Sequence, residues 1–173
     1  MDYLLKEIAL VTEGKAKKEV SSLYFGGGTP ALAIDRLGEV IELLTSHFEI
    51  TEGIGIELHP SNVTEKLLQK LSDIGVTKIS IGIQSFQDKF LGILGRKENR
   101  FETMFDALQK VSFETVAMDF IFALPNQTFQ DLQKDIEVAF SNGANHIAIY
   151  PFIEKYPPAA FIIWILKPDF IWI

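Results

Sequence analysis

Three stretches of this chain alternate two kinds of residue so strictly that few folds remain open to it. In residues 53–58, Ile54, Ile56 and Leu58 point one way and Gly53, Gly55 and Glu57 the other. In residues 79–84, Ile79, Ile81 and Ile83 oppose Ser80, Gly82 and Gln84. In residues 116–122, Val116, Met118, Phe120 and Phe122 oppose Ala117, Asp119 and Ile121. A period of two marks strands. Residues 20–25 and 146–150 read as two further short strands. Apolar residues at helical spacing lie before and between them: Leu4, Ile8 and Val11; Ile34, Leu37, Ile41, Leu44 and Phe48; Leu67, Leu71 and Ile74; Phe101, Phe105, Leu108 and Val111; Leu132, Ile136 and Phe140. Asn62 and Glu65 are the expected start signals of the third helix, with Gly75 its stop, and Gly143 is the expected C′ residue of the last. The order is one helix, four strand–helix units and a closing strand. Strands alternating with helices predict an α/β protein with a parallel sheet, open or closed into a barrel.

Each alternating strand has a greasy face for helices to cover and a face that is mostly small with one polar residue. A filled barrel carries bulky branched residues on its inner face. Here that face is largely Gly, Ser and Ala, so it leaves a cavity. Glu57, Gln84 and Asp119 then converge on the cavity near the strand C-termini, where ligands bind in parallel α/β architectures. Parallel sheets are covered on both faces, which argues against a polar face open to solvent. Buried carboxylates need cationic or hydrogen-bonding partners. A ligand with an ammonium group and ribose hydroxyls supplies them.

The stretch "LYFGGGTP" (23–30) sits at the end of the first strand, just before a helix. Glycines at 26–28 let a ligand touch backbone N–H and C=O groups with no Cβ in the way. Thr29 adds a hydroxyl and Pro30 fixes the exit. As a bare pattern the run stays ambiguous. Gly26, Gly28 and Ala31 also fit G-x-G-x-x-A, a dinucleotide fingerprint that would suit a nicotinamide dehydrogenase. No Lys follows, so this is not a phosphate loop.

Composition excludes several classes. The net charge is −7 over 173 residues and the basic residues are scattered, which argues against a nucleic-acid partner. Lys15, Lys17 and Lys18 form the one short cluster, read as an exposed helix end. There is no cysteine, so disulfides, thiolate metal sites and Cys nucleophiles are excluded within this chain, in keeping with a cytoplasmic setting. No signal pattern opens the sequence, and the longest apolar run, residues 161–166, is too short to span a bilayer. His47, His59 and His146 show no zinc spacing, so no metal site is expected. His47 reads as a helix-end residue, and His59 as a loop or capping residue beside Glu57. Glu57 and Asp119 as a hydrolase's carboxylate pair is a minor alternative. Phe86, Phe90, Phe101 and Phe105 read as core.

Five motifs in order carry a family resemblance: "YFGGGTP" (24–30), "IELHP" (56–60), "ISIGIQSF" (79–86), "LGR" (94–96) and "MDFIFALPNQT" (118–128). Each lies at or just after a strand end. Together they resemble the radical S-adenosylmethionine enzymes of the oxygen-independent coproporphyrinogen III oxidase group, with their heme-chaperone and heme-degrading relatives, over about residues 2–153. The resemblance implies a partial (β/α)₆ TIM-like barrel with S-adenosylmethionine in its mouth. Gly27, Gly28 and Thr29 would hold the methionine amino group, with Glu57 beside the cofactor. Gln84 and Asp119 would reach the ribose, and Arg96 would pair with the cofactor carboxylate. Ile153 falls near another cofactor-lining position. No catalytic residue is assigned. In the oxidase, a 5′-deoxyadenosyl radical starts decarboxylation of coproporphyrinogen III to protoporphyrinogen IX.

The departures are as telling. The family holds a four-iron four-sulfur cluster on C-x-x-x-C-x-x-C in a loop after its first strand. This chain has no cysteine and lacks that strand, the histidine-containing motif beside it and the C-terminal domain. The third residue of "ELHP", usually Asn or Asp, is His59. The expectation is a fragment, inactive alone, whose whole relative acts on a porphyrinogen or heme. An inert remnant is the alternative the missing cysteines keep open. Residues 1–153 would be the core. Residues 154–173, with Pro157-Pro158 and "FIIWILKPDFIWI", would be an atypical apolar tail and not a native domain. Without the first strand, residues 20–25 are expected to present an open edge, prone to pair with a second copy.

Overall fold

The computed structural model describes residues 1–96 and 101–153 and the backbone of residues 170–172. Helix α1 (Asp2–Thr12) leads to β1 (Lys18–Val20) and β2 (Ser22–Phe25). A 3₁₀ turn at Pro30–Ala33 precedes α2 (Ile34–His47), which runs straight into β3 (Phe48–Ile50). Then come β4 (Ile54–Leu58), a 3₁₀ turn at Pro60–Asn62, α3 (Glu65–Asp73), β5 (Lys78–Gln84), α4 (Asp88–Ile93) and α5 (Glu102–Leu108). The chain continues through β6 (Thr115–Phe122), α6 (Phe129–Ser141), β7 (His146–Pro151) and β8 (Phe170–Trp172).

The described residues form one six-stranded parallel sheet, ordered β7-β6-β5-β4-β2-β8, and a small ribbon of β1 with β3. The large sheet curls into a half-barrel, the expected partial barrel. Its greasy face is sealed as the alternation requires. Ile56, Ile81, Ile83, Met118 and Phe120 have no exposed surface at all. They pack with Leu37, Val40 and Leu44 of α2, Leu68 and Leu71 of α3, Met104 and Ala107 of α5 and Ala139 of α6. Fully burying one such side chain contributes roughly 1.5–3 kcal/mol, so this face holds the half-barrel together. Phe86 joins it from the loop after β5, edge-on to Phe101 at 4.8 Å and to Phe120 at 5.6 Å between ring centroids.

Several local expectations change. Residues 20–25 are not one strand: Ser21 breaks them, and Val20 pairs with Ile50 in the ribbon while Leu23 pairs with Ile54 in the sheet. Phe48 is not a turn of α2 but its C-cap, its N–H donating to the Leu44 carbonyl, and it opens β3 in extended backbone. In α1 only Ile8 and Thr12 are buried, and Val11 lies 56% exposed because the helix packs on α2 by a narrow stripe. Thr64, not Asn62, caps α3, accepting the Leu67 N–H at 3.2 Å. Gly75 and Gly143 end α3 and α6 as expected, at φ +90° and +99°. The six-residue α4 is too short to have left a periodic signature. The edge of β2 is not open, because β8 pairs with it in parallel from Ser22↔Phe170 to Tyr24↔Trp172. The basis for an edge-strand dimer through β2 therefore falls away. The rest of the 154–173 tail lies outside the described residues.

Candidate functional site

The glycine run faces first a carboxylate of the protein itself. Glu57, near the end of β4, places its Oε2 3.0 Å from the Gly27 N–H, which donates to it. A Cβ on Gly26 would lie 2.9 Å from Glu57 Oε1, so only glycine admits that approach. Gly27 sits at φ +87°, left-handed backbone that side chains resist. A Cβ built at Gly27 or Gly28 meets nothing within 4 Å. The backbone there is left open beside Glu57.

That opening is the mouth of a cavity of about 440 Å³. Of the seven residues singled out from sequence, Gly28, Thr29, Glu57, Gln84, Arg96 and Asp119 line it. Gly27 stands just behind, tied to Glu57. The empty-face argument thus selected strand ends that converge on one space. The face is not wholly empty, however. The Tyr24 ring lies across Gly55, where a Cβ would come within 2.6 Å of ring carbon Cδ2. Tyr24 bonds Ser80 through its side chain, and burial, then the Glu57 charge, push its pKa up and keep it a neutral phenol. Tyr24 thus fills part of the inner face beside Gly55.

Two more charged groups at the rim are anchored by hydrogen bonds. Asp119 Oδ2 accepts the Ser80 hydroxyl at 2.8 Å. Burial raises the Asp119 pKa; the Ser80 bond opposes this and the Glu57 charge adds to it. Arg96 donates from Nη1 to the Gly82 carbonyl at 2.8 Å, and burial lowers its pKa without neutralising it. Among the described residues no other acceptor takes its remaining guanidinium donors. Gln84 ends β5 at φ +70°, just after a register shift between Gly82 and Gln84. Such bulges re-aim a side chain at functional rims.

Sequence reasoning missed or undervalued five groups. Ser80 was read only as small, and Tyr24 only as apolar. Tyr150 of β7 lines the cavity, its pKa raised by burial and by the charges of Asp119 and Glu57. His59 also lines it, besides the expected capping role, in which its side chain accepts the Ser61 N–H. The fifth is Asp135 of α6, 1% exposed, which lies behind the site. Its Oδ2 accepts the Ser85 hydroxyl at 2.7 Å; its Oδ1 accepts the Phe86 N–H at 3.1 Å and the Gln87 amide at 3.2 Å. This latch fixes the segment that follows Gln84. An acidic residue inside an apolar helical period was its only signal.

The dinucleotide reading does not survive this geometry. That fingerprint sets a pyrophosphate on the N-terminus of the helix opened by the glycine loop. Here the loop runs into the Pro30–Ala33 3₁₀ turn, and α2 starts only at Ile34. A second groove of about 460 Å³ lies between α1, Leu44 of α2 and the β1–β3 ribbon, lined mainly by Leu4, Ile8, Val20, Leu23, Phe48 and Ile50. Though slightly larger, it gathers little polar chemistry, so the rim cavity is the candidate site. Among the described residues no His, Asp and Glu cluster suited to a metal occurs, and the 173 residues hold no cysteine for an iron–sulfur cluster. Among the described residues no helix is long and apolar enough to cross a membrane.

Known proteins resemble the chain in sequence and fold. The chain is 28% identical over 161 residues to the heme chaperone HemW of Bacillus subtilis, covering 90% of this chain and 42% of that protein. It is 24% identical over 166 residues to the oxygen-independent coproporphyrinogen III oxidase of Pseudomonas aeruginosa, covering 90% of this chain and 36% of that one. The structure superposes on the radical SAM coproporphyrinogen III oxidase HemN of Escherichia coli with a TM-score of 0.75 at 25% identity, over 88% of this chain and 36% of that chain. The chain thus spans about two fifths of the length of the relatives it matches. The family model described as the radical SAM superfamily matches residues 4–139, from within α1 to within α6, and the chain belongs to that superfamily.

Proposed function

We propose that the rim cavity binds S-adenosylmethionine, and that the chain is the core of a radical S-adenosylmethionine protein of porphyrin or heme metabolism. One observation carries the reading: six of the seven residues singled out line a single cavity, with charges sorted to suit a zwitterion bearing a ribose. Open backbone at Gly28, the Thr29 hydroxyl and the Glu57 carboxylate suit an ammonium group. The Arg96 guanidinium, anchored on Gly82, suits a carboxylate. Asp119 and Gln84 suit the ribose diol, with Ser80 holding Asp119 in place. The cofactor therefore fits the residues present. When bound beside an electron source, it supplies hydrogen-abstracting radical chemistry. This chain's own part is to bind and orient it.

A four-iron four-sulfur cluster does not fit these residues, because no thiolate is available. No step through a cluster is assigned to them. For the whole protein we favour action on a porphyrinogen, as the oxidative decarboxylation of coproporphyrinogen III. Carriage of heme is the second reading, supported by the relatives that bear the chaperone name. Heme binding without porphyrinogen turnover would select it. The setting that goes with either reading is cytoplasmic.

The test is a thermal melt of the purified chain with S-adenosylmethionine, and with NAD as control. A ligand at a hundred times its dissociation constant stabilises the fold by about 2.7 kcal/mol. For a chain of this length that is a rise of roughly 5–10 °C. A rise with S-adenosylmethionine alone supports the reading. A rise with NAD alone, or a cooperative melt that neither ligand moves, overturns it.

A further inference from the structure

His59 follows the last residue of β4 and precedes Pro60, with extended backbone at φ −86° and ψ 137°. Its ring lines the rim cavity. Nδ1 accepts the backbone N–H of Ser61 at 3.3 Å and stands 2.7 Å from the Ser61 hydroxyl. A backbone N–H can only donate, so Nδ1 carries its lone pair and the neutral ring has its proton on Nε2. Among the described residues no group partners Nε2. Burial, and then the charge of Arg96, hold the imidazole below its ordinary pKa of 6.5. At neutral pH the ring is therefore a neutral donor, fixed in one tautomer, beside a guanidinium.

Two donors side by side call for an acceptor between them. Among the described residues neither rim carboxylate bonds His59 or Arg96: Glu57 Oε2 takes the Gly27 N–H and Asp119 Oδ2 takes the Ser80 hydroxyl. A carboxylate offers two oxygens in one plane, enough for the free donors of Arg96 and for Nε2–H together. Resting on the binding reading above, we propose that His59 is a second contact for the carboxylate of the ligand's amino-acid moiety, working beside Arg96. The site then reads a zwitterion by opposite banks. Glu57 and Thr29 take the ammonium group, and Arg96 and His59 take the carboxylate.

The test compares two ligands by calorimetry on the purified chain. S-adenosylmethionine carries the amino-acid moiety; 5′-methylthioadenosine has the same nucleoside and sulfur without it. His59→Phe is expected to weaken S-adenosylmethionine about tenfold and leave 5′-methylthioadenosine within about twofold, the loss of one hydrogen bond to a charged group. His59→Gln, which keeps an N–H donor, is expected to recover most of the loss. Arg96→Ala should show the same split, and Asp119→Asn should weaken both ligands. In case His59→Phe does not fold, the ¹⁵N shift of His59 Nε2 is read in the wild-type chain. S-adenosylmethionine should move it and 5′-methylthioadenosine should not.

An equal loss for both ligands would make His59 structural and overturn the proposal. An unchanged S-adenosylmethionine affinity with an unmoved Nε2 shift would also overturn it, while leaving the binding reading intact. A wild-type chain that binds neither ligand would bring down the binding reading, and the role of His59 with it.

Discussion

Replacing Asp135 with Ala removes the latch behind the site and exposes how much of the rim depends on it. Asp135 is 1% exposed and Ser85 is wholly buried, so water cannot readily replace what is lost. Three donors lose their acceptor: the Ser85 hydroxyl at 2.7 Å, the Phe86 N–H at 3.1 Å and the Gln87 amide at 3.2 Å. A buried donor left unsatisfied costs about 1–3 kcal/mol. Gln87 keeps a second acceptor, the Asp131 carbonyl at 2.9 Å, so two donors are fully orphaned. Removing the carboxylate also removes its own desolvation cost, which offsets part of the loss. The net expectation is about 3 kcal/mol, or roughly 6–12 °C in the melting temperature. Asp135→Asn keeps the Oδ1 acceptor and should cost about 1 kcal/mol. Paired thermal and urea melts read both values. The held segment follows Gln84 at φ +70°, so loosening it should also weaken ligand binding. A melting temperature for Asp135→Ala within 2 °C of wild type would refute the latch.

Three further outcomes follow from the rim and its supports. Because the folded-state pKa of Asp119 is raised, the native chain holds its proton to higher pH than the unfolded one; the unliganded chain should lose stability as pH rises from 3.8 to that raised value. Affinity for S-adenosylmethionine should rise over the same window as Asp119 ionises, and Asp119→Asn should flatten both trends in pH-dependent melts and calorimetry. Gly26→Ala puts a Cβ 2.9 Å from Glu57 Oε1, so the carboxylate must swing off Gly27; calorimetry should show weakened S-adenosylmethionine binding, while the melting temperature falls by only about 2–4 °C for one lost hydrogen bond. Thr128 and Asp131 form a reciprocal cap at the start of α6, and Thr128→Ala should cost about 1 kcal/mol in a urea melt without altering ligand affinity.

The alternation of Ile56, Ile81 and Met118 against Glu57, Ser80 and Asp119 was legible because a strand's period of two is fixed by its backbone. Once strands alternate with helices, parallel order and the functional rim follow. What escaped was set by contacts distant in sequence. Tyr24 looks apolar in "LYF" until its register opposite Gly55 is known, and that pairing lies 31 positions on. Ser21 as a break between two sheets leaves no periodic trace. Thr64 outdid Asn62 as a cap because the Pro60–Asn62 turn spends Asn62 before α3 begins. Arg96 came from the family resemblance alone, since a loop arginine has no period to betray it; its hold on the Gly82 carbonyl gives that assignment a physical footing. His59 was read for a loop or capping role, which it fills by accepting the Ser61 N–H; that its ring also lines the cavity depends on where distant strand ends converge.

The central claim is that S-adenosylmethionine sits at the rim of the half-barrel, and the most direct test is amide mapping by NMR. The chain is 19.5 kDa, within reach of ¹H–¹⁵N spectra. On titration with S-adenosylmethionine, the largest shifts are expected at Gly27, Gly28, Thr29, His59, Gly82, Gln84 and Asp119. Leu4, Ile8 and Phe48, which line the apolar groove, should stay still. Shifts gathered at that groove, or none at the rim at saturating ligand, would contradict the account.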